Sequence, residues 1–432
     1  MSVTAIALGF LAMLGLMFIG LPVAVSIISV GVIGGYLTFG MPLVEAMGGV
    51  VWGTLNNSVM TAIPLFMLLG EILLRGGIAD RMYESMAVWL RRLPGGLLHT
   101  NIGCCALFAA TSGSSVATAA TVGTVALPAL SARKYPEQAA LGSLAAGGTL
   151  GILIPPSINL LVYGSLANTS VGQLFIAGVI PGLTLTVLFM IYIALRHYND
   201  GEKDDTSIPI SVKIKLLGHL VPPATIFLVV MGSIYGGIAT PTESAALGVL
   251  AALFFVWRAG QLNQRLLVNC FVQSARTTGM VVLIIVCALL LNVTLSMIGA
   301  AQAVTEWVAT LGLNRIELLL LLVLFYILLG MFMDAMSMLV LTVPIAVPMV
   351  ASVSVDPIWF GIFIVVMCEI ALITPPVGMN LFVVQGVRRG QGSFGDVIYG
   401  ALPYVFIMMA FVTLLIFLPE VALWLPNTMS GR

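Results

Sequence analysis

Two Pro-Pro pairs lie in the middle of long apolar segments, and a polar break in another apolar segment precedes each of them. The double prolines belong to GILIPPSINLLVYG (151–164) and ALITPPVGMNLFVVQG (371–386), and the polar breaks are TSGSS (111–115) and MDAMS (333–337). A proline inside a helix removes a backbone donor and interrupts the helix. Both double-proline segments are therefore expected to be helices that break near their middle.

The composition excludes a water-soluble fold. Of the 432 residues, 60% are hydrophobic and 8% are charged, whereas soluble domains carry about 25% charged residues. Apolar runs of roughly 17 or more residues, the length that crosses a bilayer, recur along the chain. We therefore predict an all-α polytopic membrane protein. The formal net charge is zero, so no nucleic-acid partner is expected. The apolar N-terminus lacks the basic segment and cleavage site of a signal peptide.

One plainly polar stretch, 197–215, divides the chain, and we interpret it as a cytoplasmic linker between two halves. Each half is expected to contain a re-entrant hairpin, whose two helices enter and leave the membrane on one side, and a proline-broken helix. The first repeat is predicted at 1–196, with its hairpin at 97–131 and its broken helix at 137–168; the second is predicted at 216–432, with its hairpin at 315–350 and its broken helix at 357–387.

Landmarks in the two halves keep the same register. Four pairs share one separation along the chain: Gly77 and Gly299, Glu84 and Glu306, Ser112 and Asp334, and Ser115 and Ser337. A fifth pair, Pro155 and Pro375, comes within two residues of that separation. The shared register indicates a duplicated plan.

Basic residues predict the orientation. With the linker in the cytoplasm, all of the 17 Lys and Arg except Arg315 and Arg432 fall on the cytoplasmic side, as the positive-inside rule requires. The first hairpin then enters from the cytoplasm and the second from the opposite side. The halves are therefore predicted to be inverted repeats, the architecture of secondary transporters.

The four breaks carry residue types that bind ions. Backbone groups left unpaired in lipid cost several kcal/mol each, so a broken helix is stable only against protein or a polar cavity. Freed carbonyls, the Ser157 hydroxyl and the side-chain oxygens of Asn159 and Asn380 supply ligands for hard cations. Half-helix N-termini attract anions. The alternative for each double proline is a kink without a ligand.

Acidic residues in apolar segments need individual interpretations. Asp334, a carboxylate in an apolar hairpin, indicates an ion or proton site, and the alternative is a helix cap. Glu369 is either a proton carrier or the partner of a buried polar neighbour. Glu71 is expected to pair with Arg75 one turn later. In TPTES (240–244) we expect a structural capping box at a helix start.

Six segments, taken together, carry a resemblance to a known family. They are GEILLRGG (70–77), SGSSVATAATVG (112–123), IPPSINLLVYG (154–164), SVGQLFIAGVIPGL (170–183), GGIATPTESAALG (236–248) and ITPPVGMNLFVVQG (373–386). With these in order from the first helix to the last, the chain resembles the large membrane subunit of tripartite ATP-independent periplasmic (TRAP) transporters, in the ion-transporter superfamily.

The resemblance implies a scaffold domain and a transport domain that slides across the bilayer, an elevator mechanism. It implies import of an organic anion, a carboxylate or sugar acid, coupled to sodium ions and delivered by a soluble periplasmic binding protein. No other cofactor is implied. The location implied is the bacterial inner membrane. The small membrane subunit is expected as a separate chain, because no further helices precede residue 1.

Matching motifs place the implied sites residue by residue. The first sodium site falls on Ser112, Ser115, Ser157 and Asn159. The second falls on Asp334, Ser337, Thr374, Gly378 and Asn380. The substrate is expected to touch the two hairpin tips, at Thr111, Gly113, Ser114, Asp334 and Ala335.

The chain departs from the family pattern beside these sites. Many members carry an acidic residue where this chain has Ala117-Thr118-Ala119, and many carry Gly-Pro in the stretch occupied here by Gly151-Ile152-Leu153. Asn159 stands where proline is common. Family substrates and sodium stoichiometry are therefore not transferred to this chain.

Three other functions are alternatives to TRAP-type import. A stand-alone sodium- or proton-coupled carboxylate carrier or antiporter would share the membrane fold but need no binding protein. An intramembrane enzyme would need a nucleophile and base or metal ligands at membrane depth, and the sequence offers neither; the five cysteines are interpreted as packing residues. A purely structural scaffold would gain nothing from the paired helix breaks.

Overall fold

The computed structural model describes residues 3–198, 209–388 and 392–429, and these residues form helices without any strand. The helices up to residue 198 are α1 (Val3–Phe18), α2 (Val23–Phe39), α3 (Met41–Leu55), α4 (Ser58–Arg75), α5 (Ile78–Leu90), α6 (Leu97–Ser112), α7 (Ser115–Ala132), α8 (Glu137–Thr149), α9 (Ile158–Leu166) and α10 (Val171–Arg196). The helices after residue 208 are α11 (Ile210–Leu217), α12 (Val221–Tyr235), α13 (Pro241–Arg258), α14 (Gln264–Met297), α15 (Ala300–Thr310), α16 (Arg315–Gly330), α17 (Ala335–Ala351), α18 (Pro357–Leu372), α19 (Met379–Val387), α20 (Phe394–Phe417) and α21 (Glu420–Met429). Short 3-10 helices cover Leu150–Ile152 and Gly218–Leu220. The predicted all-α fold is confirmed.

Six stretches of helix in the described ranges are long and apolar enough to cross a membrane. They are Ser58–Arg75, Ser115–Ala132, Val171–Arg196, Ile210–Tyr235, Gln264–Met297 and Phe394–Phe417. Helices α15 and α16, bent by 119° at their junction, add a seventh span if they are counted together. Length and apolar character thus support a multi-pass membrane protein.

Local signals explain several helix boundaries. The capping box expected in TPTES is confirmed: the Thr240 hydroxyl accepts from the Glu243 amide at 3.4 Å, and the Glu243 carboxylate accepts from the Thr240 amide at 2.8 Å. The predicted pairing of Glu71 with Arg75 is also confirmed, at 2.8 Å. These contacts fix the ends of α13 and α4.

Two boundaries differ from what the sequence predicts. The amphipathic pattern of 261–276 and the apolar run at 278–298 predict two separate helices, but α14 runs continuously from Gln264 to Met297. The apolar run at 394–425 predicts one last span, yet α20 ends at Phe417 and α21 follows as a separate helix. Residues 199–208 of the linker predicted at 197–215 lie outside the described residues, and α11 begins at Ile210, inside the range predicted as linker.

The helices form two bodies, each built from both halves of the sequence. In the first body, α4 packs against α13 and α14, and α14 also packs against α2 and α3. In the second body, α8 packs against α6, α7, α19 and α20, while α18 packs against α10, α16 and α17. The bodies meet where α4 and α12 lie against α6 and where α14 lies against α17.

Helices α5 and α15 connect the two bodies. Helix α5 packs against α4 of the first body and α6 of the second, and α15 packs against α14 and α17 in the same way. Both begin after a glycine in the left-handed conformation, Gly77 with φ 67° and Gly299 with φ 68°. Glycine adopts that conformation without steric cost, so the chain turns sharply there.

Helix α8 lies at the centre of the second body because it presents small residues. Its residues from Ala140 to Thr149 are all buried. A Cβ on Gly142 would collide with the Gly400 backbone carbonyl of α20, so two glycines permit the helices to touch. At the same end, the Arg388 guanidinium lies 2.7 Å from Glu137 and 3.4 Å from Asp396. This ion pair network ties α8 to the elements around α19 and α20.

Candidate functional site at the helix breaks

The tip of the first hairpin packs onto the first broken helix. Helix α6 ends at Ser112, and Gly113 turns the chain with φ 62°. A Cβ on Gly113 would lie 2.7 Å from the Pro156 carbonyl oxygen, and one on Gly151 would lie 2.6 Å from the Ser114 carbonyl oxygen. The predicted residues of the tip and of the first double proline are therefore neighbours in space.

Hydroxyl groups at this tip bond to one another. The Thr118 hydroxyl donates to the Ser114 carbonyl at 2.7 Å and lies 3.0 Å from the Ser112 hydroxyl. Thr111 donates to the Phe108 carbonyl at 2.8 Å. Thr118 is fully buried, and sequence reasoning did not include it among the site residues. Its position four residues after Ser114, on the same face of the helix, was the signal.

The first broken helix is enclosed by protein. Every residue from 150 to 164 is buried. Ser157 caps α9 by accepting from the Leu160 amide at 3.3 Å, and its hydroxyl donates to the Ile152 carbonyl upstream of the break. Asn159 is 4% exposed, and its amide nitrogen has no partner among the described residues. A buried donor left unpaired is costly, so this amide is available to a ligand.

The tip of the second hairpin is organised by Asp334. One carboxylate oxygen accepts from the Met336 and Ser337 amides, at 3.0 and 3.2 Å, and the other accepts from the Ser337 hydroxyl. The carboxylate therefore caps α17, the alternative weighed from the sequence. It is partly exposed, so the cap leaves it accessible.

The second tip packs onto the helix that precedes the second double proline. The Cys368 thiol of α18 lies 3.5 Å from the Ala335 carbonyl. One turn after Cys368, Ala371 lies so close to Gly330 of the hairpin that a Cβ on Gly330 would overlap it. Hairpin and broken helix of the second half are thus in contact, as in the first half.

The second break itself is more open than the first. Pro376 is exposed and Pro375 partly so. Thr374 donates its hydroxyl to the Ile370 carbonyl at 2.6 Å. Gly378 precedes α19 with φ 53°, and a Cβ there would lie 3.2 Å from the Thr374 carbonyl oxygen. The two predicted residues before and after the double proline are therefore close together.

One contact joins the two halves at the breaks. The Ser115 hydroxyl donates to the Asn380 side-chain oxygen at 3.1 Å, and the Asn380 amide donates to the Ala145 carbonyl of α8 at 3.2 Å. Matching motifs assigned Ser115 and Asn380 to different sodium sites. The structure brings these two together, whereas no described hydrogen bond links Asn380 to Asp334 or Ser337.

We expect Asn380→Ala to destabilise the protein by about 1–3 kcal/mol, because it removes two buried hydrogen bonds and leaves the partners unpaired. Thermal unfolding of the purified protein in detergent measures the change. Asn56→Ala is the control, since Asn56 is exposed and a surface substitution changes stability by about 0.5 kcal/mol or less. Equal unfolding temperatures for the two variants would contradict the importance of the contact.

Glu369 lies in α18 just before the second break, and it is fully buried. Neither of its carboxylate oxygens has a hydrogen-bond partner among the described residues. The pairing with a buried polar neighbour, weighed from the sequence, is therefore not found in the described structure.

A cavity of about 640 Å³ is lined by residues of α9, α14, α15 and α17 and of the turn after α9. Polar side chains on its wall include Asn168, Asn292, Gln302 and Glu306. None of the predicted site residues lines it. Within the described ranges, no group of three or more His, Cys, Asp or Glu side chains is placed to hold a metal ion.

Comparison with known proteins identifies the family. A family model described as "Tripartite ATP-independent periplasmic transporter, DctM component" matches residues 10–421. The chain is 37% identical to the C4-dicarboxylate TRAP transporter large permease protein DctM of Pseudomonas aeruginosa, over 90% of this chain and 91% of that protein. It is 31% identical to the isethionate TRAP transporter permease protein DctMQ of Oleidesulfovibrio alaskensis, covering 94% of this chain and 64% of that longer protein. Other relatives are named for sialic acid and for ectoine.

A solved structure is similar in fold. The YdaH transporter of Alcanivorax borkumensis, whose crystal structure reveals an unusual topology, matches 90% of each chain with a TM-score of 0.65 and 18% identity. At this identity the likeness concerns the fold alone. The named relatives are permeases rather than enzymes. On the family model and the relatives together, the chain belongs to the large permease family of TRAP transporters, as its motifs suggested.

Proposed function

We propose that the protein is the large membrane subunit that imports an organic anion into a bacterial cell, across the inner membrane, by sodium-coupled elevator movement. The contact between Ser115 and Asn380 is the observation that carries this proposal. It joins a hairpin tip of one half to the broken helix of the other, inside the second body. The contact therefore brings together hydroxyl groups, amide oxygens and freed carbonyls, and such oxygen atoms are the ligands that a sodium ion requires.

The two-body organisation supports the elevator part of the proposal. Both hairpin tips and both double prolines belong to the second body, while α2, α4, α13 and α14 form the first. A ligand held between the tips would therefore travel with the second body as a unit. The first body remains as the stationary part of the mechanism.

Anion binding is assigned to the tips, at Thr111, Gly113, Ser114, Asp334 and Ala335. Helices α7 and α17 both begin there, and the positive end of a helix dipole attracts an anion. The Asp334 carboxylate repels an anion unless a cation lies between them. Coupling follows from this charge requirement: sodium binds first and the organic anion binds beside it.

The proposed partners are a periplasmic binding protein and a small membrane subunit. The family description supports both partners, because it calls the transporter tripartite and periplasmic and names DctM as one component. The relative named DctMQ extends well beyond the part that this chain matches. For this protein we propose a separate small subunit, and co-purification with the candidate subunit tests it.

Reconstituted transport tests the function. Succinate, a C4-dicarboxylate, is the first probe, followed by acids that stabilise the binding protein in a thermal-shift screen. We expect uptake into proteoliposomes to require the binding protein and an inward sodium gradient, and to fall to background when potassium replaces sodium. The control is a liposome without permease. Uptake of free substrate without the binding protein would instead indicate the stand-alone carrier.

A further inference from the structure

Glu369 has an environment that an ionised carboxylate does not tolerate. Of the carboxylic acids in the described residues, it alone is buried, with 0% exposure. It lies in the last turns of α18, whose residues from Trp359 to Leu372 are all buried. An isolated charge in such an interior costs several kcal/mol even after the protein relaxes. A neutral carboxylic acid avoids this cost, which is why buried acids without partners take up a proton.

None of the charged or titratable groups on the neighbouring helices pairs with the Glu369 carboxyl group. The helices packed against α18 carry these titratable or charged side chains: Glu137 on α8, Tyr163 on α9, Tyr192 and Arg196 on α10, Arg315, Glu317 and Tyr326 on α16, Asp334 before α17, Arg388 after α19, Asp396, Tyr399 and Tyr404 on α20, and Glu420 on α21. No hydrogen bond or ion pair between described residues joins any of them to Glu369.

Several of these groups have other partners. Arg388 pairs with Glu137 and Asp396. The Tyr326 hydroxyl lies 2.9 Å from the Thr342 hydroxyl, and the Tyr163 hydroxyl donates to the Pro357 carbonyl at 2.6 Å. Among the described residues, neither carboxylate oxygen of Glu369 has a hydrogen-bond partner.

The position of Glu369 connects it to the moving parts. The preceding residue, Cys368, contacts the second hairpin tip at the Ala335 carbonyl, and Ala371 touches Gly330 of the same hairpin. The double proline follows within two turns. A rearrangement of the hairpin or of the break would change the packing on α18 and admit water to the carboxyl group.

We propose that Glu369 is a proton-binding site of the permease, neutral in the conformation described here, that carries a proton across the membrane during the transport cycle. The carboxylate takes one proton from water when the site is open on one side. The acid releases that proton to water when it is open on the other. The proton-carrying step rests on the proposed transport function; proton binding itself does not.

Infrared spectroscopy of the purified permease tests proton binding without any transport measurement. We expect the wild-type protein at neutral pH to show the carbonyl stretch of a protonated carboxylic acid. The band shifts when glutamate carries ¹³C and is missing from Glu369→Gln. Glu45→Gln, which removes an exposed carboxylate, keeps the band. If the wild-type band is absent, or unmoved by the label, Glu369 is ionised and the proposal is wrong. The labelled wild-type protein decides this even if Glu369→Gln fails to fold.

Uptake of succinate by the reconstituted transporter tests the carrying step. At a fixed sodium gradient, we expect an inward proton gradient to accelerate wild-type uptake. Glu369→Gln keeps the response to sodium and loses the response to the proton gradient. An unchanged proton response in Glu369→Gln overturns the carrying step. Loss of sodium dependence in the wild-type protein instead contradicts the proposed function, so the two failures are distinguishable.

Discussion

Asp334→Asn is expected to abolish sodium-stimulated uptake while the protein still folds and inserts. Asparagine caps helices about as well as aspartate, so the bonds to the Met336 and Ser337 amides survive the change. The substitution removes the negative charge of the carboxylate. Opposite charges about 4 Å apart near a protein surface interact by about 4 kcal/mol, so apparent sodium affinity should fall by roughly 100-fold or more. Uptake in proteoliposomes against sodium concentration measures the effect.

Asp356→Asn is the matched control for this prediction. Asp356 caps α18 in the same manner, accepting from the Ile358 and Trp359 amides at 2.7 and 3.1 Å. It is exposed and remote in sequence from both tips. We expect its variant to transport normally. If Asp334→Asn behaves like Asp356→Asn, Asp334 serves as a cap and has no part in sodium binding.

Gly113→Ala is expected to cause the second large effect, on both stability and uptake. An alanine in the left-handed conformation costs about 1 kcal/mol, and overpacking adds about 1–3 kcal/mol. The new Cβ would meet the Pro156 carbonyl at 2.7 Å. The first hairpin tip must then move away from the first double proline. Thermal unfolding in detergent and uptake of succinate both report the displacement.

Gly77→Ala separates the cost of the left-handed backbone conformation from the cost of overpacking. Gly77 has nearly the same φ, 67°, but nothing lies near the added Cβ. Its variant therefore carries the conformational cost alone and leaves the tip in place. A Gly113→Ala protein no less stable than Gly77→Ala, with wild-type uptake, would refute the close packing of tip against break.

The sequence predicted most of what depends on local chemistry. Capping residues and prolines act within a few positions of themselves, so the capping box at Thr240 and the breaks at both double prolines were visible as motifs. The pairing of each hairpin tip with the broken helix of its own half was implied by the family resemblance. The all-α membrane fold followed from the composition and from apolar runs long enough to cross a bilayer.

Contacts between the halves were not predictable in this way. Nothing in the local pattern of Asn380 indicates a hydrogen bond to Ser115, because the two residues are far apart in the sequence. The absence of a hydrogen-bond partner for Glu369 depends on the helices packed around α18, and the sequence alone does not show which helices these are. Helix α14 was divided wrongly because its polar start and apolar end suggested two environments, although no proline lies between them.

If the second body moves as proposed, the glycines at the ends of α5 and α15 limit the distance that it covers. Gly95 and Gly96 follow α5, and Gly312 follows α15, all with positive φ, matching the left-handed glycines before each helix. The two helices resemble rods jointed at both ends. At 1.5 Å per residue, the 11 residues of α15 make a rod of roughly 16 Å, whose far end swings through roughly 16 Å when it rotates by about 60°. In the proposed elevator movement, rotation of these two helices about their glycines would shift the second body across the membrane, and the length of the shorter helix would limit that shift.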